Sequence, residues 1–113
     1  MHRYPHIFKP LKIKDVVIPN RIVFPPTVTG YCNPNGSVSE RQMRFYKTIA
    51  QAGVGLVIIG ATAVSEGGNL FMGCARIDTD AYIDGFRDLF ALIKMEGCYA
   101  LAFNAFHMPG FVS

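Results

Sequence analysis

Three short stretches of this 113-residue chain hold the residues whose type and spacing could do chemistry. "PPTVTG", residues 25–30, ends an apolar run with two prolines, which cannot donate to a β-ladder. Pro25 and Pro26 make a stiff exit and leave the amides of Thr27 and Val28 to point outward. "GATA", residues 60–63, follows Val57, Ile58 and Ile59 and replaces their bulk with almost no side chain. A flat ring needs backbone amides and carbonyls close by with nothing in the way, and both stretches provide that. "NAFHMPG", residues 104–110, sets Asn104 and His107 three apart. Asn offers two donors and an acceptor in one plane, suited to the edge of a heteroaromatic base. His107 could donate to a substrate carbonyl or take part in proton transfer. Each stretch also has a plain reading: a strand terminator, tight packing at Gly60 under a crossing element, and a structural loop histidine.

Other chemistries find little footing. No G-x-G-x-x-G follows a strand and no Walker glycine–lysine loop is present, and the two glycines of "AGVGL" precede a strand instead of opening a helix. A Rossmann-type NAD enzyme is thereby disfavoured. Cys32, Cys74 and Cys98 are odd in number and lack C-x-x-C spacing, which argues against a disulfide framework and against zinc. They read as small buried hydrophobes in a reducing compartment. No metal site is expected. The net charge of +3 comes from scattered Lys and Arg interrupted by acids, so no nucleic-acid partner is expected. "MHRYPHIFKP" has prolines where a signal peptide needs an apolar core, and no apolar stretch approaches the roughly 20 residues of a membrane span. A soluble, cytoplasmic protein without membrane partners is the expectation.

The elements that must position these stretches follow from periodicity. "LKIKDVVIPNRIVF" is rich in β-branched residues, with Pro19-Asn20 as a turn signal, and predicts an N-terminal hairpin whose second strand is Arg21 to Phe24. After the "TVTGYCNPNG" loop, Ser39 with Gln42, or Ser37 with Glu40, makes a capping box for a helix carrying Met43, Tyr46, Ile49 and Ala50 inward. Gly53 stops it. "VGLVII" is a continuous apolar run that suits a strand buried on both faces. A long connection, "SEGGNLFMGCARIDT", leads to a second helix capped by Asp78 or Asp80, with Ile83, Phe86, Leu89, Phe90 and Ile93 as its stripe. Gly97 ends that helix, and "CYALAFN" is the next buried strand. Repeated β-α-β with such strands implies a parallel α/β sheet with right-handed crossovers, which takes its ligands at the carboxyl ends of its strands. All three chemistry-bearing stretches fall at such ends.

The segments "IFKPLKI", "IPNRIVFPPTVTG", "FYKTIAQAGVGLVIIGATAV" and "FNAFHMPG" together resemble the N-terminal part of the old yellow enzyme family, the FMN-dependent NADH:flavin oxidoreductase/NADH oxidase group. The resemblance runs from about Ile7 to Gly110. It implies a TIM (β/α)8 barrel with a hairpin over its bottom, of which this chain forms the N-terminal portion. That portion comprises the hairpin, about three parallel strands and two helices, a single partial domain over residues 1–113. It further implies FMN as cofactor, NAD(P)H as hydride donor, and a small-molecule substrate such as an activated alkene. Pro25, Pro26, Thr27 and Val28 match the segment along the flavin ring, and Gly60 and Ala61 match the small residues whose backbone meets it. Asn104 falls where the family has a Gln that bonds the flavin pyrimidine, one methylene longer. His107 matches a substrate-binding His, in a stretch with one residue inserted and Phe111 in place of the family's Arg. A barrel needs roughly 250 residues. A partial barrel leaves open edges and an apolar face, so a homo-oligomer or pairing with another chain is the alternative expectation.

Overall fold

The strand from Leu56 to Ala63, here β4, is the axis of the structure, because every other strand of the main sheet pairs with it. The computed structural model describes residues 3–65 and 73–105, with side chains as far as Leu101. A two-stranded hairpin comes first, β1 (Leu11–Ile13) and β2 (Val16–Ile18), followed by β3 (Val23–Phe24) and helix α1 (Glu40–Gln51). After β4 come a short strand β5 (Ala75–Arg76), a 3-10 turn (Asp80–Tyr82), helix α2 (Ile83–Met95) and β6 (Tyr99–Ala105). β3, β5 and β6 all run parallel to β4. The expected parallel α/β sheet with an N-terminal hairpin and two helices is therefore present, without a closed barrel.

Three details differ from the sequence reading. The hairpin turns at Lys14-Asp15, with Lys14 at φ 52°, and pairs Ile13 with Val16. Arg21 to Phe24 is therefore not its second strand: Val23–Phe24 belongs to the main sheet, opposite Leu56 and Val57. Pro19-Asn20 misled because Asn20 makes a staple instead of a hairpin turn. Its Nδ2 donates to the Gly53 carbonyl at 2.8 Å, and its Oδ1 accepts from the Ile22 amide at 3.0 Å. Second, the connection after β4 contains a strand: two residues, Ala75 and Arg76, are too few to show a period. Third, neither Asp78 nor Asp80 caps the second helix. The side chain of Asp78 is taken by Arg76, at 2.9 and 2.7 Å, and Asp80 lies inside the 3-10 turn that precedes α2. The guanidinium holds the Asp78 carboxyl below its usual range.

The first helix forms as its sequence dictates. Ser39 Oγ accepts from the Gln42 amide at 3.0 Å, and Gly53 at φ +96° takes the left-handed turn that closes the C-terminus. Its inner face joins that of α2 against β4: Tyr46, Ala50, Val57, Ile59, Phe86, Leu89 and Ile93 are each at most 3% exposed. Burial of such side chains contributes about 1.5–3 kcal/mol each before entropy is counted. The three cysteines are free and buried. Because these contacts all lie on the helix side, the opposite face of the sheet is left open. Val23 is 46% exposed, Tyr99 37% and Leu101 55%. The hairpin approaches the amino ends of the strands, where Ile13, Val16 and Ile18 with Leu56, Tyr99 and Leu101 enclose an apolar hollow of about 310 Å³.

Candidate functional site

At the other end, where β3 and β4 finish, lies a shallow cleft of about 10 Å³, room for roughly one water. Its wall is mostly backbone and small side chains: Thr27, Val28, Thr29 and Gly30 from the segment after β3, Gly60 and Ala61 from β4, and Gly73 with Cys74 leading into β5. The volume falls short of the roughly 300–1,000 Å³ of an ordinary small-molecule site, so the cleft amounts to one wall of one.

The sequence placed "GATA" beyond the end of a strand; it is instead the last part of β4. Between the pairs Ile59↔Ala102 and Thr62↔Asn104, β4 advances three residues while β6 advances two, which makes a β-bulge at Gly60-Ala61. A bulge removes backbone groups from the ladder, and two side chains receive them. The Gly60 amide donates to the Tyr46 hydroxyl at 3.1 Å, and its carbonyl accepts from Thr62 Oγ1 at 3.0 Å. Tyr46 and Thr62 are fully buried, so these bonds hold the bulge rigidly. Burial pushes the Tyr46 phenol up, partly offset by the Gly60 amide.

The emptiness at Gly60 now has its cause. A Cβ there would fall on the Thr27 carbonyl and lie 2.9 Å from the Val28 nitrogen, so the β3 exit crosses directly over it. Of the two readings of this glycine, packing under a crossing element accounts for the missing side chain. Ala61, half-buried, is the residue of the pair that the cleft leaves accessible. The crossing also fixes Thr27 and Val28, whose amides donate to no other described residue. Thr27 Oγ1 turns back to the Pro25 carbonyl at 3.2 Å.

The fold thus brings Thr27, Val28, Gly60 and Ala61 together. Pro25 and Pro26 set up the crossing segment without lining the cleft. Asn104 stands across from Thr62 on β6, at the same end of the sheet, and its side chain lies outside the description. His107 lies outside the described residues. Sequence reasoning missed Gln42, which it read only as a capping partner. Gln42 is 4% exposed, lines the cleft, and accepts from Thr29 Oγ1 at 2.5 Å. Its signal was a polar residue next to the inward stripe, which the capping pattern also explained. No group of three potential metal ligands occurs among the described residues.

This geometry coincides with a family match. A family model described as the NADH:flavin oxidoreductase / NADH oxidase family matches residues 6–110, nearly the whole chain. The chain belongs to that family. An NADH oxidase of Thermoanaerobacter brockii is 36% identical over 111 residues, covering 97% of this chain and 17% of the oxidase. An NADPH dehydrogenase of Geobacillus sp. (strain WCH70) is 37% identical over 92 residues, covering 80% of this chain and 27% of the dehydrogenase. The chain therefore spans about a sixth to a quarter of the length of these relatives. In structure, the Old Yellow Enzyme from Pichia sp. AKU4542 superposes with a TM-score of 0.82 at 23% identity, over 88% of this chain and 26% of that enzyme. Over that stretch the two chains share one fold. Among the described residues no helix is long and apolar enough to cross a membrane.

Proposed function

We propose that this chain supplies one wall of the flavin site of an FMN-dependent oxidoreductase that transfers hydride from NAD(P)H to an activated alkene or another small acceptor. The observation that carries the reading is the backbone-lined cleft at the carboxyl ends of β3 and β4, made rigid by the bulge at Gly60-Ala61. Family membership supports it, and so do relatives named for NADH and for NADPH chemistry.

The residues present fit a flat isoalloxazine ring. Thr27 and Val28 offer two amides unspent among the described residues, and Ala61 offers backbone with only a methyl group above it. Bound against these residues, FMN would supply the hydride relay between nicotinamide and acceptor. What this chain does is hold and orient. The crossing of Thr27 over Gly60 fixes the height of the β3 exit, and the buried Tyr46 and Thr62 hydroxyls fix the bulge. Asn104, on the neighbouring strand, is assigned to the ring's polar edge and His107 to the substrate.

The test is the variant Ala61→Leu, which fills the cleft without touching the helix-side core. FMN affinity, read by quenching of flavin fluorescence, is expected to fall at least about tenfold, or 1.4 kcal/mol. Circular dichroism is expected to stay unchanged. Unaltered affinity in a folded variant would reject the assignment.

A second reading rests on a separate observation. The exposed Val23, Tyr99 and Leu101 form an uncovered face on a parallel sheet, and such sheets are normally covered on both sides. A non-catalytic partial barrel that associates with itself or with another chain would use that face.

A further inference from the structure

Two of the three cysteines meet at the cleft although they are 42 positions apart in sequence. The Cys32 amide donates to the Gly73 carbonyl at 3.1 Å, and the Arg76 amide donates to the Gly36 carbonyl at 3.0 Å. The first bond joins the two cysteine-bearing loops directly, and the second ties them again between Gly36 and Arg76. Because Cys74 follows Gly73 directly in sequence, the first of these bonds brings Cys74 close to Cys32. A disulfide spans roughly 4.4–6.8 Å between Cα atoms, the scale to which a direct backbone hydrogen bond brings adjoining residues. Both side chains line the same cleft and both are free. Burial above all, with the Cys74 thiol adding and a Ser39 backbone contact opposing, pushes Cys32 up to about 11. Cys98 is elsewhere, on the helix side, with its thiol directed at the Val54 carbonyl.

We propose that Cys32 and Cys74 are a modification site, a dithiol that a small-molecule disulfide reaching the cleft converts into an intramolecular disulfide. One cysteine, as thiolate, attacks a sulfur of the reagent, forming a mixed disulfide and expelling one thiolate of the reagent. The other cysteine, after losing its proton, attacks the protein-side sulfur of that mixed disulfide and expels the second. The two cysteines lose two protons and two electrons, and the reagent is reduced to two thiols. The product bond ties the β3-exit loop to the entry of β5, the two walls of the cleft. This inference stands apart from the flavin reading, since it needs only the two thiols and the cleft.

The full chain is incubated with oxidised glutathione at mildly alkaline pH, then alkylated and mapped by peptide mass spectrometry. Free thiols, counted by alkylation after unfolding, are expected to fall from three to one, with a peptide joining Cys32 to Cys74, a loss of two hydrogens from the intact mass, and reversal by dithiothreitol. Cys98→Ser is expected to give the same linkage, and Cys32→Ala to stop at a mixed disulfide on Cys74. Linkage through Cys98, mixed disulfides only in the unsubstituted chain, or three thiols left unreacted would each overturn the proposal.

Discussion

Cys32 shows how one buried side chain ties stability to pH. Its thiol is 8% exposed, and its pKa rises from 9.0 unfolded to about 11 folded, chiefly because burial penalises the thiolate. A raised pKa means that the folded state keeps the proton longer, so stability is fully present below pH 9 and is lost between pH 9 and about 11. The two-unit gap corresponds to as much as about 2.7 kcal/mol. Tyr46 and Cys98 are shifted in the same direction, so they add to the decline. Urea titrations at pH 8 and pH 11 are expected to show this loss, reduced by roughly that amount in Cys32→Ala. Equal declines in both proteins would show that Cys32 is not the group responsible. The sequence made Cys32 legible as a small buried residue. It did not reveal Cys74 beside it, because that proximity arises from two backbone hydrogen bonds between loops.

At the scale of elements, the bulge in β4 decides how the cleft is built. The strand must carry an extra residue at Gly60-Ala61 while the β3 exit passes over it, and only a residue without Cβ fits beneath the Thr27 carbonyl. Gly60→Ala is therefore expected to lower stability by about 2–3 kcal/mol in urea unfolding, as overpacking does in a rigid interior. Gly53→Ala serves as comparison. It meets nothing within 4 Å and carries only the strain of φ +96°, worth about 1 kcal/mol. Equal losses would mean that the crossing is looser than described. Elements with a strong period were readable in advance: both helices, β4 and β6 follow from apolar spacing, and Ser39 with Gly53 mark the ends of α1. Short elements were not. β3 and β5 are two residues each, held by pairing with β4 and not by any local preference, and the Lys14-Asp15 turn lacks the glycine that usually signals a hairpin. The bulge was visible only as a loss of bulk, which a strand end explains equally well.

For the whole molecule, the asymmetry of the sheet is the dominant fact. One face packs on two helices, and the other leaves Val23, Tyr99 and Leu101 substantially in water. Light scattering after size exclusion at micromolar concentration is expected to give a mass above that of a monomer, and Leu101→Lys is expected to shift it downward. A monodisperse monomer would contradict this. The site is likewise one-sided at this scale. The shallow cleft presents the β3 exit and the β4 bulge to a ligand, with the assigned Asn104 alongside on β6. The direct test of the central claim is a titration of the isotope-labelled chain with FMN, followed through its amide resonances. Weak, saturable binding is expected, with the largest shifts at Thr27, Val28, Gly30 and Ala61 and little change in the hairpin Leu11–Ile18. Shifts centred on the hairpin hollow, or none at the cleft amides at millimolar FMN, would contradict the assignment of this cleft to the flavin.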